Sequence, residues 1–181
     1  NDLPQAVPLH FGLSGMPDKY GEKITIITAP VILGVTGLLT WFLLRNIHKI
    51  DPKKKYTAGT SAVMAKLSVV LIILLFVFII HSTLKGIITG MPLFFCGLSL
   101  FLAYIGNLMH SIKPNYFAGI RVPWTLENED NWRKTHQLAS KVWFAGGIIL
   151  ALLSLILDFK ILFIVFMIFI FFMSAIPILY S

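Results

Sequence analysis

Five stretches of this chain run without a charged side chain for about the thickness of a lipid bilayer, and little else so narrows the folds open to it. Between Lys23 and Arg45 there are 21 such residues, between Lys66 and Lys85 18, from Gly86 to Met109 24, from Val142 to Leu157 16, and from Ile161 to Ser181 21. A span needs about 20 residues at 1.5 Å rise to cross roughly 30 Å of hydrocarbon. The fourth run reaches that length if its helix starts near Leu138 and Lys141 snorkels to the interface. Lipid offers no partner to a backbone N–H or C=O, so each separate segment must be helical. The expected fold is all-α, a polytopic transmembrane helix bundle with five membrane helices in this chain. Composition agrees: charged residues make up 13%, about half the share usual in a soluble domain.

The polar intervals orient the bundle. Arg45, Lys49, Lys53, Lys54, Lys55 and Lys66 follow the first helix, and Lys113, Arg121, Arg133, Lys134 and Lys141 precede the fourth. The other side holds Lys19, Lys23, Lys85 and Lys160. Basic residues favour the cytoplasmic side, so residues 1–23 are expected outside and the C-terminus inside. The chain then divides into an extracellular segment, 1–23, and a transmembrane bundle, 24–181, with cytoplasmic loops 45–66 and 110–141. The net charge of +7 is accounted for by this arrangement, and direct nucleic-acid binding is not expected. Pro4, Pro8, Pro17, Gly12, Gly15 and Gly21 punctuate residues 1–23 too densely for a helix, which predicts an irregular ordered loop.

The residues that usually carry chemistry are scattered. No Asp, Glu, Lys or Arg falls inside the five runs, which counts against a proton relay, an ion pathway or a coupled transporter. His10, His48, His81, His110 and His136 are spread along the chain, and Cys96 is the single cysteine. Neither an H-E-x-x-H pair nor a paired cysteine motif occurs, and Ser14, Ser111 and Ser140 lack a G-x-S-x-G setting. No metal, cofactor or catalytic residue is expected. Gly86-x-x-x-Gly90 and Gly147-x-x-x-Ala151 are small-residue pairs of the kind that let helices approach closely.

One interval is too elaborate for a connector. Gly106 to Gly147 holds three of the four tryptophans, five of the fifteen basic residues and three of the eight acids. Thr125 after Pro123 reads as a helix N-cap, with Glu127, Glu129 and Asp130 in the first turn. From about Leu126, helical spacing puts Trp132, His136, Ala139 and Trp143 on one face. That face serves equally as an aromatic belt at the headgroups or as a partner surface. Arg121, between Tyr116 and Trp124, could stack on either ring or fork onto Glu127.

The order GN, IKPNYF, GIR, PWTLEN, W-x-x-TH and GG within this interval resembles the SdpI family, multi-pass bacterial membrane proteins that confer immunity to a secreted sporulation-delaying toxin. The N-terminal pattern LP-x-x-VP-x-HFG-x-SG-x-PD-x-YG-x-K resembles the segment that follows the first membrane helix in such proteins. The resemblance implies a further membrane helix upstream of Asn1, six in the full-length protein. It implies immunity at a bacterial cell membrane, with the lipid bilayer and a secreted peptide toxin as partners and, in some members, a cytoplasmic transcriptional repressor held at the inner face. Pro8, His10, Phe11, Gly12, Gly15 and Asp18 would face the toxin. Lys113, Asn115, Tyr116, Gly119, Arg121, Pro123, Trp124, Thr125, Asn128, Trp132 and His136 would form the inner partner surface. The alternatives are a small transporter or lipid- and amphiphile-handling protein, and a structural subunit of a membrane complex.

Overall fold

A computed structural model describes residues 6–11, 16–50, 57–85 and 90–181. Two strands, β1 (Ala6–Phe11) and β2 (Pro17–Glu22), precede five long helices: α1 (Thr28–Asn46), α2 (Ala58–Lys85), α3 (Met91–Met109), α5 (Glu129–Ser154) and α6 (Phe159–Tyr180). A single turn, α4 (Pro123–Glu127), lies ahead of α5. The five long helices, with the short 3-10 turns flanking α1, are long and apolar enough to cross a membrane. The protein is thus an all-α membrane bundle with a small strand pair at one end.

Pairwise packing shows that successive helices alternate in direction. Gly37 of α1 lies beside Ile72 of α2, while His48 lies 3.1 Å from Ser61. Gly97 of α3 meets Leu74 of α2, and Phe94 stacks on Phe78 with centroids 4.3 Å apart. Gly106 meets Phe144 and Gly147 meets Ala103, so α3 and α5 are antiparallel. Trp143 of α5 reaches Met173 of α6, and Asn131 reaches Ser181. The hairpin, the start of α1 and the end of α2 therefore share one end of the bundle. The polar interval, the start of α5 and the end of α6 share the other.

The tightest seam is α3 against α5. A methyl group at Gly106 would fall 2.5 Å from the Phe144 amide nitrogen, and one at Gly147 2.6 Å from that of Ala103 and 2.7 Å from the Ser99 oxygen. Backbones this close accept only small residues, and Ser99, Ala103 and Ala151 are buried alongside. The expected small pair Gly147–Ala151 thus sits in the seam. Gly86 of the other pair lies outside the described residues. Phe95, Leu150, Leu162, Phe166 and Met173 then form an apolar core among α3, α5 and α6. By contrast α1 buries only Gly37 and packs chiefly on α2, leaving most of its surface for lipid.

The structure corrects several expectations. Residues 6–11 and 17–22 are not irregular: β1 and β2 pair antiparallel, with register shifts between Pro8 and His10 and between His10 and Phe11. Proline excludes helix but tolerates a strand edge or a bulge. Gly12 and Gly15 lie outside the described residues. Helix α2 starts at Ala58, so Lys66 stands within a helix instead of ending a loop. Helix α5 starts at Glu129, and its N-cap is Asn128, whose side chain accepts from the Asp130 and Asn131 amides. Thr125 is not that cap. It lies inside α4, fully buried.

Candidate functional site

The polar interval folds into a cap across the ends of α3, α5 and α6. Its organising residue is Asn115, 1% exposed. The Asn115 Oδ1 accepts from the amides of Phe117 and Ala118 at 2.8 and 2.7 Å, and its Nδ2 donates to the Lys113 and Ala118 carbonyls at 2.8 and 3.2 Å. Every hydrogen-bonding position of the side-chain amide is used, so one residue imposes the turn that Pro114 begins.

The next link runs through a histidine. Gly119 has φ 104°, a left-handed value that costs a non-glycine residue roughly 1–2 kcal/mol. Its missing side chain also leaves room for His136, whose Nε2 occupies the direction a Cβ would take. His136 Nε2 accepts from the Ile120 amide at 2.9 Å, and Nδ1 lies 2.8 Å from the Trp132 carbonyl. Those partners fix one neutral tautomer, with the proton on Nδ1. The imidazole stacks on the Trp132 ring, centroids 4.0 Å apart. Thr125 completes the frame: its Oγ1 donates to the Ile120 carbonyl at 2.8 Å and accepts from the Val122 amide at 3.1 Å.

Three indoles fasten this frame. Trp132 Nε1 donates to the Ile112 carbonyl at 2.7 Å, Trp124 Nε1 to Ser181 Oγ at 2.6 Å and Trp143 Nε1 to the Met173 carbonyl at 2.8 Å. Asn131 Nδ2 adds a bond to the Ser181 main-chain oxygen at 2.8 Å. Trp132, His136 and Ala139 do share a face, but that face is turned into the protein. Neither Trp132 nor Trp143 acts as a free headgroup anchor, because each directs its N–H at a main-chain carbonyl of the same chain.

Burial divides the residues expected to meet a partner. Asn115, Thr125, Trp132 and His136 are buried and cannot be touched from outside. Gly119 is half-buried, serving the turn. Lys113, Tyr116, Arg121, Pro123, Trp124 and Asn128 are exposed. Arg121 Nη1 donates to the Tyr116 carbonyl at 2.6 Å, and this main-chain bond, not foreseen from sequence, holds the guanidinium against the loop. Beside it a groove of about 560 Å³ runs between Tyr116, Arg121, Leu126, Trp143 and Ile178. The Arg133–Asp130 pair, 3.0 Å and largely exposed, contributes little to stability.

At the opposite end Pro8, His10, Phe11 and Asp18, expected to meet a toxin, lie on the two paired strands, while Gly12 and Gly15 lie outside the described residues. Pro8 is buried, while His10 and Asp18 are exposed and joined across the two strands, Nδ1 to Oδ1 at 2.6 Å. Phe11 lies in β1. Among the described residues no group of three or more His, Cys, Asp or Glu side chains converges as metal ligands would. Asn131 and Ser181, which bind the cap to α6, carried no sequence signal. Pairing across 50 positions has none to give.

Comparison with known proteins falls on the same two regions. Residues 111–181 match the sequence profile of the SdpI/YfhL protein family, and residues 1–34 match that of a domain of unknown function, DUF1648. The chain is 27% identical over 152 residues to the immunity protein SdpI of Bacillus subtilis (strain 168), an alignment covering 84% of this chain and 70% of that protein. No solved structure matches it significantly.

Proposed function

From the match of residues 111–181 to the SdpI/YfhL protein family profile we propose that the chain is a membrane immunity protein of that family, protecting its cell against a secreted peptide toxin. The observation that carries the reading is the likeness to the Bacillus subtilis immunity protein along 84% of the chain. The fold is consistent with a binding role. Its α3–α5 seam is closed by backbone-to-backbone packing and its α3–α5–α6 core by apolar side chains, and Asn115, Thr125, Trp132 and His136 of the cap are consumed in holding a shape.

We assign the hairpin end to the outside and the cap to the cytoplasm, on the excess of Lys and Arg in the intervals beside the cap. The exposed face of the cap, Lys113, Tyr116, Arg121, Pro123, Trp124 and Asn128, is then the surface that would recruit a repressor. Its aromatic and arginine side chains are of the kind that dominate protein interfaces.

A toxin-sensitive strain producing the chain should survive exposure to the toxin and should recruit a fluorescent repressor to its membrane. The double variant Arg121→Ala with Trp124→Ala separates the two roles. Survival and membrane level should stay near wild type while recruitment falls by about thirtyfold, the loss expected for one interface anchor. Joint loss of level and survival would make these residues fasteners of the bundle. Unchanged recruitment would remove the docking role. Failure of the unaltered chain to protect would remove the immunity reading itself.

A further inference from the structure

The hairpin end holds a feature that the cap does not use. β1, the turn leading into α1 and the last turns of α2 enclose a cavity of about 450 Å³. Its apolar wall includes Leu9, Ile26, Phe78 and Ile79, and among the described residues no Asp, Glu, Lys, Arg or His lines it. Four hydroxyl-bearing residues are among those that line it, Thr25, Thr28, Ser82 and Thr83.

Three of them are spoken for. Thr25 donates to the Glu22 carbonyl, Thr28 to the Thr25 carbonyl at 2.5 Å and Thr83 to the Ile79 carbonyl at 2.9 Å. Ser82 is different. It is 3% exposed, and its Oγ is buried with no hydrogen-bond partner. Buried hydroxyls are nearly always matched, because an unmatched one forfeits its bond to water without replacement. One water occupies about 30 Å³ of liquid, so a water on Ser82 would leave most of the space unfilled. The cavity is of the size that small ligands occupy.

The strand beside it is built to open that space. Adjacent residues of a regular strand point to opposite faces, yet Pro8 and Leu9 both line the cavity. The register shift between Pro8 and His10 leaves Leu9 out of the pairing, and such a bulge redirects a side chain. Among the described residues the sheet has two strands, so each has an outer edge of the kind that a third strand can join. A lipid tail has no N–H or C=O to offer such an edge. An extended peptide has both.

We propose that this cavity binds an uncharged apolar segment of an extended peptide, which seats one or two aliphatic or aromatic side chains among Leu9, Ile26 and Phe78 and presents a main-chain carbonyl to the Ser82 hydroxyl once that side chain, which has no partner to lose, turns into the space. The proposal rests on the immunity reading only for equating that peptide with the toxin.

The full chain in vesicles of phosphatidylethanolamine and phosphatidylglycerol is irradiated with an N-acetylated, C-amidated hexapeptide of leucine, valine and phenylalanine that carries a diazirine. A diazirine-bearing phosphatidylcholine serves as the lipid arm. Peptide adducts should map to Leu9, Ile26 and residues 78–83. Ser82→Ala should weaken half-saturation about three- to tenfold, the loss of one hydrogen bond, and Ala29→Trp should fill the space and abolish the adducts. Lipid adducts at the same residues that the hexapeptide fails to displace would overturn the proposal, as would unchanged half-saturation in Ser82→Ala. If Ala29→Trp does not reach the membrane, the Ser82→Ala result decides alone. Survival of toxin-treated cells is scored in parallel. Adducts in the cavity with full protection by Ala29→Trp would leave the site standing and sever it from immunity.

Discussion

A single carbon atom at Gly119 would break two things at once. The left-handed backbone would be strained, and the added methyl would displace His136 from the Ile120 amide. Gly119→Ala should therefore lower unfolding free energy in detergent by about 2–4 kcal/mol, combining the left-handed cost with a lost buried bond. Chemical denaturation followed by tryptophan emission measures it. His136→Phe isolates the second term. Its ring keeps the stacking on Trp132 but neither accepts from Ile120 nor donates to the Trp132 carbonyl, so a loss of about 1–3 kcal/mol is expected. An unchanged midpoint in His136→Phe would mean that the loop is held elsewhere. The family resemblance implies a partner surface that includes these residues, and helical spacing puts His136 and Trp132 on one face. Sequence spacing gives the face but not its direction, and the face is turned inward by an acceptor at Ile112, 20 positions away.

Among the elements, the α3–α5 seam is the joint that tolerates least. Gly147→Ala places a methyl 2.6–2.8 Å from three atoms of α3, two of them main chain, and the helices must part along their length to admit it. A loss of about 1–3 kcal/mol, as for overpacked cores, should appear as a lower melting temperature and a lower membrane level. Gly34→Ala on α1 is the control. Nothing lies within 4 Å of the added carbon, and stability should be unchanged or slightly raised, since alanine is the better helix former. The five helices were legible from charge-free length alone, because lipid penalises a charge more than it penalises any particular apolar residue. Their ends were not. Lys66 is an exposed residue inside a helix, where a long side chain can reach a polar region while its backbone stays helical, as was expected only of Lys141. The break at Asn128 was hidden for a related reason: Thr125 and Asn128 are both good caps, and only the tertiary frame around Ile120 claims the first for another task. The hairpin was hidden by its own punctuation, since Pro and Gly mark loops and bulged strands alike.

At the scale of the molecule, alternating helices separate a hairpin end from a cap end by the length of a span. Cysteines placed at Met16 and Lys113, both exposed, in a Cys96→Ser background should react with an impermeant thiol reagent from opposite sides, the first from outside. Reaction of both from one side would refute the packing directions described above, and reversed sides would refute the orientation. The two ends also differ in what light they return. Trp41 lies in the last third of α1 beneath Arg45, Trp124 and Trp132 belong to the cap, and Trp143 stands level with Gly106 near the end of α3. All four indoles of the chain are thus gathered toward the cap, while the cavity beside Ser82 is lined by none. Tryptophan emission from the unlabelled protein is consequently remote from the place where the hexapeptide would bind and sensitive to the far side of the bilayer. Any change in its colour or intensity on adding peptide at the hairpin end would be news that has already crossed the membrane.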